Sequence, residues 1–400
     1  MRIACHFLAG FILTAALTLT NGNADTSAVD SPRAKNIIFM VPDGMGLAGV
    51  TAARIFKHGP NSGRLSFETL PVIGYQSTHS ADSSVTDSAA AASAWACGEK
   101  FNNGEISCHD DNTDGICDRT PAPTILDLAK ALGKVAGLVV TSDITHATPA
   151  AFGANVHHRR CEAEIARQYL ARDIDVLLGG GIAKNRAPCK RSSSGSDDPD
   201  SLLAAYRASG YAIIDTKTQM NNAVTDGHPK VLGLFKPDGK TLEMFRVNPD
   251  IAYPRQEPTL PEMTAAALHL LSRHDRGFFL LVEGSQIDWA GHDNHLKNQI
   301  AETLAFDAAV QEVLQWLSAQ PNRRQETLLL VVADHETGGF AINGPRGSLA
   351  AKGHFVRDGW TGDWHTAVDT LIWAQGPGSP RFGRALDNTD LYGVIKRVLK

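Results

Sequence analysis

The segment GFFLLVEGSQIDWAGHDNH (277–295) carries ionisable side chains directly after an apolar run that is suited to a buried strand. Glu283 ends the run, and further ionisable residues follow it: Asp288, His292, Asp293 and His295. Burying such groups beside a core strand is costly unless they are paired or bind a metal. Asp288 and His292 lie on one face of a helical turn, and carboxylate with imidazole is a typical zinc ligand set. Taken alone, such a pair is usually a surface pair, so other parts of the chain must complete a site.

Polar residues follow other apolar runs in the same way. The runs and the residues that follow them are NIIFMV (36–41) with Asp43, VAGLVV (135–140) with His146, and TLLLVVA (327–333) with Asp334 and His335. In open α/β sheets, ligand sites lie outside the carboxyl ends of the strands, so distant positions can converge on one edge. The pattern therefore predicts a metal site whose ligands come from distant parts of the chain.

Short apolar runs alternate with helix-like segments along the chain. The remaining runs span 175–180, 277–282 and 369–374, and the helix-like segments span 123–133, 161–172, 262–273 and 299–319. This alternation predicts an α/β fold, namely a three-layer sandwich with a central, mostly parallel β-sheet flanked by helices. Residues 31–400 are expected to form a single domain.

Composition and the N-terminus narrow the functional class. A net charge of −5, from 38 basic and 43 acidic residues, gives no reason to expect a nucleic-acid partner. Residues 1–24 combine basic Arg2, an apolar stretch (7–19) and the small-x-small sequence GNA (22–24). This predicts a secretory signal peptide, with an uncleaved anchor as the alternative. Because of this signal peptide, the protein is expected to be periplasmic or secreted. No later segment is apolar enough to span a membrane, so no membrane partner is expected.

An exported protein can keep cysteine pairs as disulfides. The pairs expected here are Cys108 with Cys117 in a polar loop, and Cys161 with Cys189 on either side of a helix–strand unit. Cys97, in the alanine-rich AAAASAWACG, is instead expected to be a buried free thiol. Spacing alone does not prove the pairing.

Ser88 and Arg159 are candidates for covalent and phosphate chemistry. Ser88 stands in the alanine-rich SVTDSAAAASAWACG (84–98), where Thr, Asp and Ser are all good helix caps. A helix N-terminus also favours an anion, and a serine there near a metal can lose its proton and attack phosphorus. The spacing leaves both roles of Ser88 open. Arg159 presents a planar fork that matches phosphate oxygens, and a solvated basic face is the equal alternative.

Seven motifs together resemble those of alkaline phosphatases. They are VPDG (41–44), TDSAA (86–90), THATPAA (145–151), VLLGGG (176–181), VEGSQIDWAGH (282–292), ADHETGGF (333–340) and DWHT (363–366). They fall in order along the chain, and bacterial members with EGSQIDW and DHETGGF are the most similar. The resemblance implies an alkaline-phosphatase-like fold and hydrolysis of small-molecule phosphate monoesters to an alcohol and inorganic phosphate. It also implies metal dependence, a phosphoserine intermediate, alkaline pH, a broad substrate range and a homodimer.

The resemblance implies a role for each site residue. Ser88 would be the nucleophile, and Arg159 would bind two phosphate oxygens. Two Zn²⁺ and one Mg²⁺ would have these ligands: Asp288, His292 and His365 for one zinc; Asp43, Asp334 and His335 for the other; and Asp43, Thr148 and Glu283 for magnesium. Further residues would surround these ligands: Asp87, His146 and Trp289. The best-known bacterial members have aspartate in place of His146 and lysine in place of Trp289, so this chain matches a different subset of the family.

Two segments differ from those of larger family members. The segment 341–364 is short where those members carry an extended interface domain, which predicts a reduced dimer contact. The loop insert 103–121 reads D-x-N-x-D-G-x-x-D, like the first part of a calcium loop. The residues of this pattern are Asp110, Asn112, Asp114 and Asp118. Because Pro121 replaces the glutamate that would end an EF-hand loop, a structural Ca²⁺ and a polar surface loop both remain open.

Two rival functions are set against this interpretation. One is phosphodiester or phosphonate hydrolysis by a sister enzyme, which would lack the third metal site and the arginine. Thr148, Glu283 and Arg159 argue against it. The other is non-catalytic phosphate or metal binding, which would show a lost nucleophile or a lost ligand. Ser88 argues against that second rival.

Overall fold

A ten-stranded β-sheet lies at the centre of the computed structural model, which describes residues 33–119, 121–181, 189, 198–246 and 256–399. The predicted signal peptide (1–24) lies outside the described residues. The strands are β1 (Asn36–Val41), β2 (Val72–Ser77), β3 (Val135–Asp143), β4 (Val176–Gly180), β5 (Ala212–Ile214), β6 (Val231–Leu234), β7 (Phe278–Glu283), β8 (Thr327–Val332), β9 (Glu336–Thr337), β10 (Ala341–Gly344), β11 (Arg357–Gly359), β12 (His365–Thr366), β13 (Thr370–Gln375) and β14 (Ala385–Asp387).

Helices surround the sheet. They are α1 (Leu47–His58), α2 (Ser88–Cys97), α3 (Ile125–Ala131), α4 (Ala147–Gly153), α5 (Glu162–Ala171), α6 (Pro199–Ala208), α7 (Lys217–Asp226), α8 (Glu243–Arg246), α9 (Leu260–Leu271), α10 (Gln286–His292), α11 (Leu296–Ser318), α12 (Arg323–Glu326) and α13 (Asp390–Val398). Short 3₁₀ turns span Phe67–Thr69 and Ser379–Phe382. Among the described residues, no helix is both long and apolar enough to cross a membrane.

The large sheet is mostly parallel. Its order is β14-β2-β13-β8-β1-β7-β3-β4-β6-β5. Within the described part of the chain, only β13 runs antiparallel to its neighbours, β2 and β8. Two small antiparallel pairs, β10 with β11 and β9 with β12, lie outside it. This confirms the predicted α/β fold with a mostly parallel central sheet flanked by helices.

The central strands β1, β7 and β8 are buried on both faces, which explains their continuous apolar runs. In β1, Ile37, Phe39 and Val41 pack into one core cluster with residues of α2, α4 and α5. Ile38 and Met40 point to the other face and pack with α1, α9 and α11. The twofold periodicity of a strand thus supplies both cores from one run.

The register of the central strands brings their carboxyl ends together. Val41 of β1 pairs with Glu283 of β7, and Val140 of β3 pairs with the same Glu283. On the other side of β1, Met40 pairs with Val331 of β8. Residues that follow β1, β3, β7 and β8 are therefore neighbours at one sheet edge, as the sequence predicted.

Both predicted disulfides are present. The Cα atoms are 5.6 Å apart in Cys108–Cys117 and 5.5 Å apart in Cys161–Cys189. Cys97 is free and buried, also as predicted, and burial raises the pKa of its thiol to about 12. The thiol is therefore protonated at neutral pH and belongs to the core rather than to any reactive site.

Candidate active site

The predicted ligands at the strand ends are fully buried at the carboxyl edge of the sheet. Asp43 follows β1, Glu283 ends β7, and Asp334 and His335 follow β8. Thr148 lies in α4, which follows β3. None of these five side chains is exposed to solvent. Burial of so many polar groups at one edge needs a compensating partner.

One cluster contains Asp288, His292 and His365. Asp288 and His292 lie in α10, and His365 reaches them from β12. Nε2 of His292 lies 3.3 Å from Oδ2 of Asp288 and 3.2 Å from Nε2 of His365. The same Nε2 of His365 lies 3.5 Å from Oδ1 of Asp288. Ligands about 2.0–2.1 Å from a tetrahedral zinc are about 3.3 Å from one another, so this cluster fits the ion.

The protonation states within this cluster depend on whether a cation is bound. Without an ion, the hydrogen bond with Asp288 raises the pKa of His292 to about 9, so a metal would displace a proton from this ring. Burial opposes ionisation of Asp288, but His292 and the nearby histidines lower the pKa of this carboxyl well below its usual range. Burial and His335 lower the pKa of His365 to about 4, so its ring is neutral, as a metal ligand must be.

A second cluster contains Asp43, Asp334 and His335. His335 Nε2 lies 3.1 Å from Asp334 Oδ2 and 3.8 Å from Asp43 Oδ1. Neither carboxylate oxygen of Asp43 has a hydrogen-bond partner among the described residues. Burial, and then the neighbouring carboxylate of Asp334, raise the pKa of Asp43 well above its usual range. A buried carboxylate without hydrogen bonds is stable as an anion only beside a cation.

The two clusters are adjacent. The rings of His335 and His365 stack with their centroids 3.5 Å apart. Ligand atoms of Asp288, His335 and His365 all lie within 4.8 Å of one another. This separation suits a pair of metal ions that act on the same substrate.

A third group of ligand atoms lies beside Asp43. Oxygens of Asp43 and Glu283 and a ring nitrogen of His146 lie within 4.8 Å of one another. Both carboxylate oxygens of Glu283, and the hydroxyl of Thr148, are buried without a hydrogen-bond partner among the described residues. Burial raises the pKa of Glu283 to about 7. These oxygens fit a hard cation such as Mg²⁺.

Ser88 is the first residue of α2, and a different residue caps this helix. The N-cap is Asp87, whose side chain accepts a hydrogen bond of 2.9 Å from the backbone N–H of Ala90. The side chain of Ser88 is therefore not used as a cap. Its Oγ lies 3.3 Å from His335 Nε2, at the second cluster.

Arg159 reaches the same region from the loop between α4 and α5. Its Nη1 donates to Asp87 Oδ2 at 3.0 Å, and its Nη2 lies 3.1 Å from His146 Nε2. The ring of Trp289 meets the ring of His146 edge-on, with centroids 6.4 Å apart. The predicted surrounding residues, Asp87, His146 and Trp289, thus form a continuous support behind Arg159, whereas Arg160 is exposed.

The candidate calcium loop lies apart from these clusters. Backbone N–H groups of Asp114 and Gly115 donate to the carboxylate of Asp110 at 3.0 and 2.9 Å. The backbone N–H and the side-chain amide of Asn112 donate to Asp118 at 3.1 and 3.0 Å. The predicted residues therefore do gather in one turn, through their own hydrogen bonds.

Sequence reasoning did not single out Thr337. Its buried hydroxyl donates to Asp288 Oδ1 and lies 3.3 Å from His335 Nδ1, so it links the two clusters. A Cβ on Gly44 would lie 2.7 Å from this hydroxyl, which explains a glycine there. The sequence signal that could have identified Thr337 is its position two residues after His335, because residues two apart in an extended segment face the same side.

The fold and the site define a class of protein. It is an α/β enzyme in which a buried serine and adjacent His/Asp clusters meet at the carboxyl edge of a parallel sheet. Two such clusters can hold the attacking and leaving oxygens of an in-line displacement at phosphorus.

Comparisons with known proteins narrow this class to one family. The family model described as alkaline phosphatase matches residues 34–356. Alkaline phosphatase 4 of Bacillus subtilis is 30% identical, over 98% of this chain and 94% of its own. The Escherichia coli alkaline phosphatase is 32% identical, over 93% of this chain and 87% of its own. The chain belongs to the alkaline phosphatase family, whose members are phosphomonoesterases.

Solved structures agree. The alkaline phosphatase of the Antarctic bacterium TAB5 has a TM-score of 0.75 and 29% identity, and the match covers 92% of this chain and 98% of that chain. Two variants of that enzyme, in which a histidine is replaced by aspartate or glutamate, hold magnesium in a site called M3. A metal cofactor is therefore implied for the family.

Proposed function

We propose that this enzyme hydrolyses a broad range of phosphate monoesters at alkaline pH through a phosphoserine intermediate on Ser88. The observation that carries the proposal is the position of Ser88 Oγ, 3.3 Å from His335 Nε2 and at the N-terminus of α2. A helix N-terminus favours the negative charge that phosphoryl transfer brings to this point.

The proposed cofactors are two Zn²⁺ and one Mg²⁺. Asp288, His292 and His365 would hold one zinc, whereas Asp43, Asp334 and His335 would hold the other. Asp43, Thr148 and Glu283 would hold magnesium, which accounts for their buried oxygens without hydrogen-bond partners. When bound, the ions supply positive charge that lowers the pKa of the attacking hydroxyl and stabilises the leaving oxygen.

The chain's own residues position the reactants. Ser88 Oγ loses its proton to solvent and forms a bond to phosphorus, while the bond from phosphorus to the alcohol oxygen breaks and that oxygen takes up a proton from solvent. Arg159 donates to two non-bridging oxygens, and Asp87 and His146 hold its guanidinium in place. Because Ser88 lies beside His335, in-line displacement places the alcohol oxygen at the other cluster, near His292 and His365. Water then loses a proton and attacks phosphorus, and the bond to Ser88 Oγ breaks. Inorganic phosphate is released, and Ser88 Oγ regains a proton.

Several features of the whole protein are proposed with this function. Residues 1–24 would be a signal peptide for a periplasmic or secreted enzyme, and 31–400 its catalytic domain. The enzyme would be a homodimer, as the resemblance to the alkaline phosphatase family implies. The residues of loop 110–118 would bind a structural Ca²⁺.

The test of the function compares an aryl phosphate monoester with the matching diester at alkaline pH, with zinc and magnesium present. The expected result is fast monoester hydrolysis, a much slower diester reaction, and loss of both in chelator. A preference for the diester would favour the sister activity of phosphodiester hydrolysis.

The nucleophile is tested with Ser88→Ala. This variant should bind inorganic phosphate and zinc but not release alcohol or incorporate labelled phosphate. If the wild type turns over no faster than Ser88→Ala, the enzymatic proposal is wrong, and non-catalytic phosphate or metal binding is favoured instead.

A further inference from the structure

An exposed tryptophan lies at the edge of the cluster that contains Asp288. Trp364 is 65% exposed and directly precedes His365. Its ring is nearly parallel to that of His365, with an interplanar angle of 18° and centroids 5.3 Å apart, and it lies 5.1 Å from the ring of His292. An exposed indole this close to the cluster offers a flat aromatic surface to a planar group that enters the site.

The backbone on both sides of this ring is fixed. The carbonyl of Trp364 accepts a 2.9 Å hydrogen bond from the N–H of Gly338. On the N-terminal side, the carbonyl of Asp363 lies 2.7 Å from Nδ1 of His292. On the C-terminal side, Nδ1 of His365 lies 2.9 Å from the carbonyl of Thr86. The backbone that carries the ring is therefore ordered before a ligand binds, which removes that part of the entropic cost.

We propose that Trp364 is a specificity-determining residue that stacks on the leaving group, and that aryl and heteroaryl phosphate monoesters are the preferred substrates. This inference rests on the proposed function, which places the departing alcohol oxygen near His292 and His365. A planar leaving group on that oxygen would extend past the two histidines to the indole. Stacking between aromatic rings adds affinity beyond the burial of apolar area.

The first test compares phenyl phosphate and butyl phosphate in wild type, Trp364→Leu and Trp364→Phe. In Trp364→Leu, kcat/KM for phenyl phosphate should fall about 3- to 10-fold through KM, whereas butyl phosphate should change less than about 2-fold. Trp364→Phe should keep most of the preference because it retains a ring. Equal losses for both substrates in Trp364→Leu would overturn the proposal.

The second test measures binding without turnover. Calorimetry with phenylphosphonate and butylphosphonate should show weaker binding of only phenylphosphonate to Trp364→Leu. Inorganic phosphate, which has no leaving group, should inhibit all variants equally, and their zinc content should be equal. If phosphate inhibition or zinc content changes in parallel, Trp364 merely supports the metal cluster and the proposal is wrong.

Oligomeric state separates this role from a dimer contact. Sedimentation of Trp364→Leu should match that of the wild type, since the ring faces substrate. A shift in mass with no difference between aryl and alkyl ligands would assign Trp364 to an interface and overturn the inference. If the wild type hydrolyses no monoester at all, the proposed function fails, and the phosphonate binding still tests the stacking role.

Discussion

The carboxylate of Asp87 holds the guanidinium of Arg159 at 3.0 Å and, with its other oxygen, caps the helix that begins at Ser88. Burial works against ionisation of Asp87, but the charge of Arg159 and the hydrogen bond from Ala90 lower the pKa of this carboxyl. One side chain thus fixes both the nucleophile's helix and the phosphate-binding arginine.

Two substitutions of Asp87 separate these tasks. Asp87→Asn keeps a good N-cap but loses the charge, so stability should change little while the inhibition constant for inorganic phosphate rises several-fold. Asp87→Ala should weaken phosphate binding similarly and also cost about 1 kcal/mol of unfolding free energy through the lost cap. Urea unfolding and phosphate inhibition check both. Unchanged phosphate binding in both variants would show that Arg159 is positioned without Asp87.

Arg159 and Arg160 form a matched pair for substitution by lysine. Arg159→Lys should lower kcat/KM by about 10- to 100-fold, because a single ammonium group cannot bind two phosphate oxygens as a fork does. Arg160→Lys is the control, because Arg160 is exposed and Arg159 makes the contacts at the site. Steady-state kinetics on one monoester distinguishes them. Equal effects would favour a general basic surface over a specific phosphate clamp.

Replacing Glu283 by glutamine should change the stability of the protein in opposite directions with and without metal. Both of its carboxylate oxygens are buried without a hydrogen-bond partner among the described residues. In chelator at pH above about 8, Glu283→Gln should therefore be more stable than wild type by about 1–3 kcal/mol. With zinc and magnesium present, the variant should bind magnesium more weakly and lose stability relative to wild type. Thermal unfolding in both conditions and magnesium titration are the measurements, and the same sign in both would contradict a role as ligand.

Glu302 predicts a pH dependence of stability away from the site. Burial raises its pKa to about 8 from an ordinary value of 4.5. The folded protein therefore binds a proton that the unfolded chain has already lost, so the contribution to stability is full below pH 4.5 and falls as pH rises towards 8.

Glu302→Gln removes this titration. It should keep the acceptor for the backbone N–H of Glu243, which donates to Glu302 Oε1 at 2.6 Å. The unfolding free energy of the variant minus that of the wild type should therefore increase by about 1–3 kcal/mol from acidic to alkaline pH. Urea unfolding of both proteins across this range measures the difference. A constant difference would mean that Glu302 does not titrate on unfolding.

Calcium should stabilise the loop insert. Millimolar Ca²⁺, added with zinc and magnesium already saturating, should raise the melting temperature of wild type but not of Asp110→Asn. Asp111→Asn is the control, because Asp111 lies outside the pattern and instead pairs with Arg119 at 3.6 Å. If calcium stabilises Asp110→Asn as much as wild type, the loop is only a polar surface loop.

The sequence predicted the central strands but not the edges of the sheet. β1, β7 and β8 were predictable because parallel strands buried on both faces require continuous apolar runs. β2 was not, because Val72–Ser77 is partly exposed and contains glycine and polar residues. β5 has only three residues, too few for a periodic signal. These strands form because the neighbouring strand offers hydrogen bonds, which local sequence does not record.

The same limit applies to the site. The residue types and motifs identified the candidate nucleophile and the ligands, because metal and phosphate chemistry restricts which side chains can serve. They could not choose between cap and nucleophile for Ser88. That choice depended on whether Asp87 accepts the N–H of Ala90, which is a matter of geometry.

What the sequence determined by itself is therefore local and chemical: strand and helix periodicity, the donor types available, and the family. Only the tertiary structure decided which distant groups meet, such as Thr337 with Asp288 and Trp364 with His292. The physical reason is that periodicity is set by neighbouring residues, whereas contacts across the sheet edge depend on strand register and helix packing. Hydrogen bonds and stacking act only over a few ångströms, so a small change in that packing would remove them.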